Sequence, residues 1–374
     1  MKAKLYFSLL LLTTLFGGLN AQWSNRSFTH NTLLRSYRLY VPAVYNSNAP
    51  ASLVITLHGL GDNMTNFSNI GMNLVADTAN IIVVVPQAIT DPLVGNAWNS
   101  KAGFLNIYPN PTVDDIGFIN ALVDSTAAQY AIDLSKVYLC GFSMGGFMTN
   151  RMACEGNSKF AAFGSVAGTF GAGLGACNPG KAISIVHFHG TADGTVGYYT
   201  NNYGVNADSL VNFWVGNNAC TLPGTQTSLP DLQNDGFTVD HYKYQGNKSV
   251  EFFKVNGAGH IWMTPANDIA YTIELWKFFR KHQLLTGIKE QEKANDLLIY
   301  PNPSNGKINL KVKGYQSDKM LVEVYDLQGA LVYSTLFTTQ DLEIDLKEKG
   351  VSKGTYMLRC KSEHVDARKL MIVE

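Results

Sequence analysis

The 374-residue chain lacks an excess of charge of either sign, because 29 lysines and arginines balance 29 aspartates and glutamates. It also lacks any basic run interleaved with aromatic residues, the pattern that a nucleic-acid surface requires. We therefore expect no nucleic-acid partner.

Cysteine is scarce: the five cysteines stand at positions 140, 154, 177, 220 and 360, with no Cys-x-x-Cys spacing. An odd number spread this widely predicts neither a disulfide framework nor a zinc site. Export still permits one disulfide. Cys154 and Cys177 are the pair to test first, because Cys140 ends an apolar run and is expected to be a buried thiol.

Long apolar runs are also missing. The chain opens with Lys2 and Lys4, continues with an apolar run over 5–16, and reaches small residues ending at Ala21. This run is shorter than the ~20 residues that span a bilayer. The pattern predicts a signal peptide at 1–21 and a secreted protein, extracellular or on the cell surface, without a membrane anchor.

Charge is distributed unevenly along the chain. Residues 1–300 contain 37 charged side chains, whereas the 74 residues after Tyr300 contain 21. A polar stretch without apolar periodicity precedes this change. We predict a first domain at 22–284, a linker at 285–296 and a second domain at 297–374.

The first domain alternates short apolar runs with amphipathic segments, which indicates an α/β fold with a mainly parallel central sheet. Several runs are apolar throughout, as expected for strands buried on both faces. The predicted strands are 53–58, 81–85, 137–141, 163–167, 183–189 and 250–255, and the predicted helices are 66–78, 114–130, 144–154, 207–217 and 269–282. The second domain has short alternating runs separated by turns, which predicts a small β-sandwich.

A Gly-x-Ser-x-Gly motif supplies the candidate nucleophile, Ser143, in Gly141-Phe142-Ser143-Met144-Gly145-Gly146. A strand run precedes the motif and a helical pattern follows it. In that context the motif forms a sharp turn that exposes the serine hydroxyl above the sheet. An ordinary strand-to-helix turn is the alternative.

A serine hydroxyl needs a base to take its proton and an acid to orient that base. His260 is the candidate base and Asp193 the candidate acid, since each follows a predicted strand and both follow the serine in the order that this motif requires. Asp231, Asp235 and Asp240 also lie between Ser143 and His260, in a polar stretch that favours a solvated loop. His187 and His189, two apart on a strand, share a face and could begin a metal site. No further ligands follow at a recognisable spacing, so we interpret both as buried, hydrogen-bonded histidines and predict no metal.

The oxyanion of an acyl-transfer reaction needs two preorganised donors. The N–H of Met144, directly after the nucleophile, is the first candidate. The loop after the strand at 53–58 offers the second, with the Leu60 N–H preferred and Gly61 as the alternative.

Six motifs, in order along residues 30–282, resemble secreted esterases grouped with poly(3-hydroxybutyrate) depolymerases and the feruloyl and acetylxylan esterases of carbohydrate esterase family one. The motifs are Leu57-His58-Gly59, Trp98-Asn99, Asp114-Asp115-Ile116-Gly117-Phe118, Gly141–Gly146, His187–Asp193 and Gly259-His260-Ile261-Trp262. The resemblance implies an α/β-hydrolase fold without a cofactor, with Ser143 as nucleophile, Asp193 as acid and His260 as base.

The same resemblance bears on residues around the site. Asp114 and Asp115 begin a helix after the Trp98 loop, where we expect them to cap it. Trp98 and Trp262 are candidate substrate-binding aromatics, and both are equally compatible with a place in the core. Met263 stands where the family often has proline, a departure that affects the pocket rim.

The C-terminal region resembles the sorting domain of the type IX secretion system. Tyr300-Pro301-Asn302-Pro303-Ser304-Asn305-Gly306 opens it and Lys369-Leu370-Met371-Ile372-Val373 closes it. The resemblance implies that the secretion machinery is a partner of the chain. An accessory polymer-binding β-sandwich is the alternative.

Taken with the resemblance, these features predict a secreted, monomeric serine hydrolase of carboxylic esters in extracellular polymers. The substrate is a feruloyl or acetyl ester of plant polysaccharide, or a polyester such as poly(3-hydroxybutyrate) or an aromatic polyester. The alternatives are an acyltransferase on the same three residues and a non-catalytic, surface-displayed binding protein.

Overall fold

A computed structural model describes residues 21–103, 105, 107–284, 297–312, 319–326, 330–338, 341–362 and 366–374. The chain divides into two compact units, Met1–Leu284 and Leu285–Glu374. The predicted signal peptide, apart from Ala21, and the predicted linker at 285–296 lie outside the described residues. Within the described residues, no helix is both long and apolar enough to cross a membrane.

The first unit is built on one ten-stranded sheet with the spatial order β1-β2-β4-β3-β7-β8-β9-β12-β11-β10. Its strands are β1 (Gln22–His30), β2 (Leu33–Val41), β3 (Ala51–Leu57), β4 (Ile81–Pro86), β7 (Ile132–Phe142), β8 (Ala162–Val166), β9 (Ile185–Gly190), β10 (Thr225–Leu229), β11 (Thr238–Tyr244) and β12 (Val250–Asn256). A separate two-stranded hairpin consists of β5 (Thr90–Asp91) and β6 (Gly95–Asn96).

The six central strands, from β4 to β12, run parallel to one another, and β2 and β11 pair with the two ends of this group in antiparallel fashion. They are the six strands that the sequence predicts, and residues of β3, β4, β8 and β9 are buried along their whole length. The outer pairs, β1 with β2 and β10 with β11, are antiparallel. The prediction of an α/β domain with a mainly parallel sheet is therefore confirmed.

Helices cover both faces of the sheet, so that two apolar cores form. Helices α3 and α5 pack into one core together with buried methionines of α4, and α2 and α6 pack into the other. The helices are α1 (Met64–Phe67), α2 (Met72–Ala79), α3 (Asp115–Ala127), α4 (Met144–Glu155), α5 (Ala207–Asn217) and α6 (Tyr271–Phe279). The single helix predicted at 66–78 is two helices, because Gly71 adopts a positive φ between them.

A disulfide joins Cys154, near the end of α4, to Cys177. This is the pair that the sequence favoured. Cys140 is a buried free thiol, as expected from its place in an apolar strand.

The second unit contains a three-stranded sheet, β13-β14-β17, and a four-stranded sheet, β16-β15-β18-β19. Its strands are β13 (Leu297–Tyr300), β14 (Lys307–Val312), β15 (Met320–Tyr325), β16 (Leu331–Phe337), β17 (Asp341–Asp345), β18 (Gly354–Lys361) and β19 (Asp366–Val373). Apolar residues of both sheets share one core, which includes Ile308, Val322 and Leu358. The unit is the small β-sandwich that the alternating pattern predicts.

Candidate active site

Ser143 stands in the turn between β7 and α4, with φ 54° and ψ −120°. Its N–H donates to the carbonyl of Val166 at 2.8 Å, and its own carbonyl accepts from the N–H of Phe147 at 3.0 Å. A non-glycine residue rarely adopts a positive φ, and such strain persists only where its surroundings hold it. Here the neighbouring strand and the first turn of the helix fix the backbone, which leaves the hydroxyl exposed at the carboxyl end of the sheet.

Glycines allow the chain to make this turn. A Cβ on Gly141 would overlap the carbonyl of Gly145, and a Cβ on Gly145 would overlap the carbonyl of Leu57 at the end of β3. The backbone of α4 therefore contacts the backbone at the ends of β3 and β7 directly, with no side chain between them. The motif requires glycine at these positions because any side chain there would prevent the close approach of helix and strand that the turn needs.

The structure brings the predicted nucleophile, base and acid together. His260 Nε2 lies 2.9 Å from Ser143 Oγ, and His260 Nδ1 lies 2.7 Å from Asp193 Oδ2. A carboxylate only accepts, so Nδ1 carries the proton and Nε2 is free to accept from the serine hydroxyl. The arrangement can move a proton from the serine to an imidazole whose tautomer the carboxylate fixes.

Both carboxylate oxygens of Asp193 accept hydrogen bonds. Its side chain is fully buried, and Oδ1 accepts from the N–H groups of Thr195 and Val196, each at 2.8 Å. Burial alone raises the pKa of Asp193. The hydrogen bond and charge of His260, together with the two backbone donors, outweigh it and hold that pKa below its usual range. The group is therefore an anion at neutral pH.

The competing aspartates have other partners. Asp231 accepts from the N–H groups of Asp235 and Gly236, and Asp235 accepts from the N–H of Phe237. Asp240 accepts from the side chains of Ser228 and Asn256. Asp231 and Asp235 therefore stabilise their own loop, as expected, whereas for Asp240 the solvated-loop expectation is wrong, because Asp240 lies in β11.

Leu60 and Met144, the residues of the two predicted oxyanion donors, line the same cavity as Ser143. Met144 is the first residue of α4, so its N–H has no acceptor within the helix. The Leu60 N–H has no protein acceptor among the residues that the structure describes. The alternative, Gly61, is wrong, because its N–H donates to the carbonyl of Asn96 at 2.8 Å.

His58 orients the peptide that carries the Leu60 N–H, a role that the sequence did not reveal. His58 Nδ1 donates to the carbonyl of Gly59 at 2.7 Å, and His58 Nε2 accepts from the N–H of Ala88 at 3.1 Å. The C=O of Gly59 and the N–H of Leu60 belong to one planar trans peptide and point in opposite directions. Fixing the carbonyl therefore fixes the donor. Burial lowers the pKa of His58, in keeping with a neutral ring.

The predicted substrate contact of Trp98 is wrong. Its side chain is completely buried, and its indole N–H donates to the carbonyl of His58 at 2.9 Å. It thereby contacts the loop that carries the Leu60 N–H. Trp262 is half-buried and does not line the cavity either. Its ring packs edge-on against Phe142, whose ring lies tilted against that of His260 at 4.8 Å between centroids.

Asp114 caps α3, as the sequence predicts, by accepting from the N–H of Gly117 at 2.8 Å. Asp115 does something else. It is fully buried, pairs with Arg35 at 2.7 Å and accepts from the N–H of Asn99 at 2.7 Å. Neither carboxylate contacts Ser143 or His260.

Ser143 and His260 open into a cavity of about 330 Å³. Its other walls come from Gly59, Leu60, Asp62, Ala102, Phe142, Met144, Phe147, Thr195, Val196 and Tyr203. Most of these side chains are apolar, and they come from five separate loops and helix ends. The sequence predicts Leu60 and Met144 beside Ser143 as oxyanion donors, and Gly59 and Phe142 stand inside its motifs. No sequence signal marks the other wall residues as neighbours: Asp62, Ala102, Phe147, Thr195, Val196 and Tyr203.

Comparison with known families gives two matches. Residues 41–207 match the phospholipase/carboxylesterase family model, and residues 298–374 match the secretion system C-terminal sorting domain. A solved acetyl xylan esterase from Aspergillus awamori superposes with a TM-score of 0.50 at 17% identity, covering 69% of this chain and 99% of that one. The first unit has the α/β-hydrolase fold. The sorting-domain match confirms that the chain is secreted, to the exterior or the cell surface.

Curated relatives agree with the resemblance seen in the motifs. A bifunctional acetylxylan esterase/xylanase of Neocallimastix patriciarum is 25% identical over 73% of this chain and 37% of its own length. A poly(3-hydroxybutyrate) depolymerase of Ralstonia pickettii is 30% identical over 46% of this chain and 33% of its own. A probable feruloyl esterase C of Aspergillus niger is 26% identical over 60% of this chain and 76% of its own. The chain thus spans less than half the length of the first two.

Proposed function

We propose that this protein is a secreted serine hydrolase that cleaves carboxylic esters through an acyl-enzyme on Ser143. The observation that carries the proposal is the hydrogen-bonded series from Ser143 Oγ through His260 to Asp193, with separations of 2.9 and 2.7 Å, at the wall of an apolar cavity. This series, beside two backbone donors, is the arrangement that acyl transfer requires.

The reaction follows from the geometry in two halves. Ser143 Oγ attacks the ester carbonyl while His260 Nε2 takes its proton, and the N–H groups of Met144 and Leu60 stabilise the oxyanion. His260 then gives the proton to the departing alcohol. In the second half, Nε2 takes a proton from water as the water attacks the acyl carbon, and it returns that proton to Ser143 Oγ as the Oγ–carbon bond breaks and the acid leaves.

The substrates are esters of extracellular polymers, either feruloyl or acetyl esters of plant polysaccharide or polyesters. The apolar walls around Ser143 suit an aromatic or aliphatic acyl group rather than a charged one. The ester-cleaving activities named for the three relatives fall within these two groups. The C-terminal unit, through its sorting-domain match, would be the part that engages the secretion machinery.

Reaction with an organophosphonate tests the nucleophile. We expect one equivalent to bind covalently per chain, and none to bind Ser143→Ala, since the hydroxyl is the attacking group. Full labelling of Ser143→Ala, or no labelling of the wild type, would refute the proposal.

Turnover of a soluble ester tests the acid. Asp193→Asn should lower kcat by about 10⁴-fold, because the amide favours the wrong imidazole tautomer. Asp231→Asn is the matched control and should leave kcat unchanged, since Asp231 bonds only its own loop. A loss of kcat in Asp231→Asn with normal kcat in Asp193→Asn would instead identify Asp231 as the acid.

A substrate panel addresses the ester itself. Methyl ferulate, acetylated xylan, poly(3-hydroxybutyrate) film and an aromatic polyester film separate the two groups of substrate. Adding an alcohol acceptor distinguishes hydrolysis from acyl transfer, because a transferase would yield the new ester in preference to the free acid.

A further inference from the structure

Behind the acid lies a buried series of hydrogen bonds that the proposed reaction does not use. Ser165 Oγ lies 2.7 Å from His187 Nδ1, and His187 Nε2 lies 3.1 Å from His189 Nδ1. His189 Nε2 lies 2.7 Å from the carbonyl oxygen of Val196. Ser165 belongs to β8 and the two histidines belong to β9, and all three side chains are buried.

The direction of this series follows from its last member. A carbonyl oxygen only accepts, so His189 Nε2 must carry a proton. In a neutral ring Nδ1 then accepts, and His187 Nε2 donates to it. His187 Nδ1 is left as an acceptor for the Ser165 hydroxyl. Burial lowers the pKa of both rings, and the neighbouring ring lowers that of His187 further, in keeping with two neutral imidazoles.

The series ends on the residue that holds the acid. The carbonyl of Val196 accepts from His189, and the N–H of Val196 donates to Asp193 Oδ1 at 2.8 Å. His189 Nε2 also lies 3.6 Å from Asp193 Oδ2, the oxygen that orients His260. Val196 in addition lines the cavity. One imidazole, which is buried and does not itself line the cavity, thus contacts both Asp193 and Val196 in this turn.

We propose that His189 is a positioning residue that holds Val196, and through it the Asp193 carboxylate, in the orientation that His260 needs. His187 and Ser165 support it by fixing its tautomer. This role in catalysis rests on the proposed hydrolase function. The assignment of the two tautomers does not depend on that function.

Two substitutions of His189 separate positioning from simple packing. The amide nitrogen of His189→Gln can still donate to Val196, whereas His189→Leu fills the space without a donor. A displacement of about 1 Å in a catalytic group costs about 100-fold in rate. We expect His189→Leu to lower kcat by about that factor with KM unchanged, and His189→Gln to recover most of the loss.

The rates are taken per active site, titrated with the organophosphonate, so that misfolded protein does not contribute. The acid side of the pH–rate profile should also shift in His189→Leu and not in His189→Gln, because only the first releases Asp193. An unchanged kcat per labelled site and an unchanged profile in His189→Leu would overturn the positioning role. Equal losses in both variants would overturn it as well.

Nitrogen NMR of ¹⁵N-histidine-labelled wild-type protein tests the series without any activity. We expect both His187 and His189 to be neutral at pH 7 with the proton on Nε2. A proton on Nδ1 of either ring, or a charged ring, would overturn the proposed direction. Failure of the hydrolase proposal is recognised separately, because the wild type would then not react with the organophosphonate.

Discussion

Asp114 and Asp115 are adjacent in sequence and have opposite environments. The Asp114 side chain is 46% exposed and caps α3, whereas the Asp115 side chain is completely buried against Arg35. Removing one partner of a buried ion pair leaves an uncompensated charge, which is far costlier than losing a cap at the surface. The two positions therefore offer a matched comparison.

We expect Asp115→Ala to lower the free energy of unfolding by about 3–5 kcal/mol, since the Arg35 guanidinium loses its counter-charge. Asp114→Ala should cost about 1 kcal/mol, the usual loss for an N-cap. Urea unfolding measures both. Replacing Arg35 and Asp115 together by apolar residues should recover part of the loss, and equal losses for the two single variants would contradict the assignment.

At the scale of elements, the contact between α4 and β3 depends on Gly145. A Cβ there would overlap the carbonyls of Leu57 and His58, so Gly145→Ala must push the helix away from the strand. We expect a loss of about 3 kcal/mol in unfolding free energy, the upper end for overpacking. Phosphonate labelling should also be lost, because Ser143 and Met144 move with the helix.

Gly216 in α5 is the control. A Cβ at Gly216 meets nothing within 4 Å. Gly216→Ala should therefore raise the unfolding free energy by about 0.5–1 kcal/mol, because alanine has less backbone freedom to lose. If the two variants behaved alike, the close approach of α4 to β3 would not be the cause.

The sequence predicts the strands that are buried on both faces, and misses those at the edges. Ile81–Pro86 is apolar throughout and was predicted from that pattern. Thr225–Leu229 is polar and almost wholly exposed, so neither alternation nor an apolar run marks it. Edge strands form because a neighbour offers free N–H and C=O groups, which is a property of the assembled sheet and not of the segment.

The same limit applies within the site. Ser143, Asp193 and His260 follow strand ends in motifs of fixed spacing, so that their positions could be predicted. Tyr203 lines the cavity from a loop with no motif, and its place depends on how that loop folds. Trp98 is the opposite case. Its motif points to it as a substrate contact, but only the folded structure shows that its side chain packs inward against His58.

At the scale of the whole molecule, the two units can be observed separately. All five tryptophans, at 23, 98, 214, 262 and 276, lie before residue 284, so their fluorescence reports on the first unit alone. This unit also holds four histidines whose pKa burial lowers: His58, His187, His189 and His282.

These histidines predict the pH dependence of stability. Their pKa values are lower in the folded than in the unfolded chain, so the unfolded state takes up protons first as pH falls below about 6.5. The pKa of His282 is lowered to about 4, chiefly by burial. Each such group should lower the unfolding free energy by about 1.4 kcal/mol per pH unit below 6.5, and stability should be full above that pH.

Urea unfolding followed by tryptophan fluorescence between pH 6.5 and 5 measures this slope. Carboxylates with lowered pKa, such as Asp193, act mainly below this range. His282→Gln should reduce the slope by the contribution of one proton. A stability independent of pH in this window would contradict the burial of these rings.

The disulfide between Cys154 and Cys177 has a consequence for when the protein becomes robust. It fastens the far end of the helix that begins beside Ser143, and closing a loop of this size contributes about 3 kcal/mol. Such a bond persists only in an oxidising compartment. The chain therefore gains its full resistance to unfolding only after it has left the cytoplasm, when the bond that fastens the end of α4 has formed.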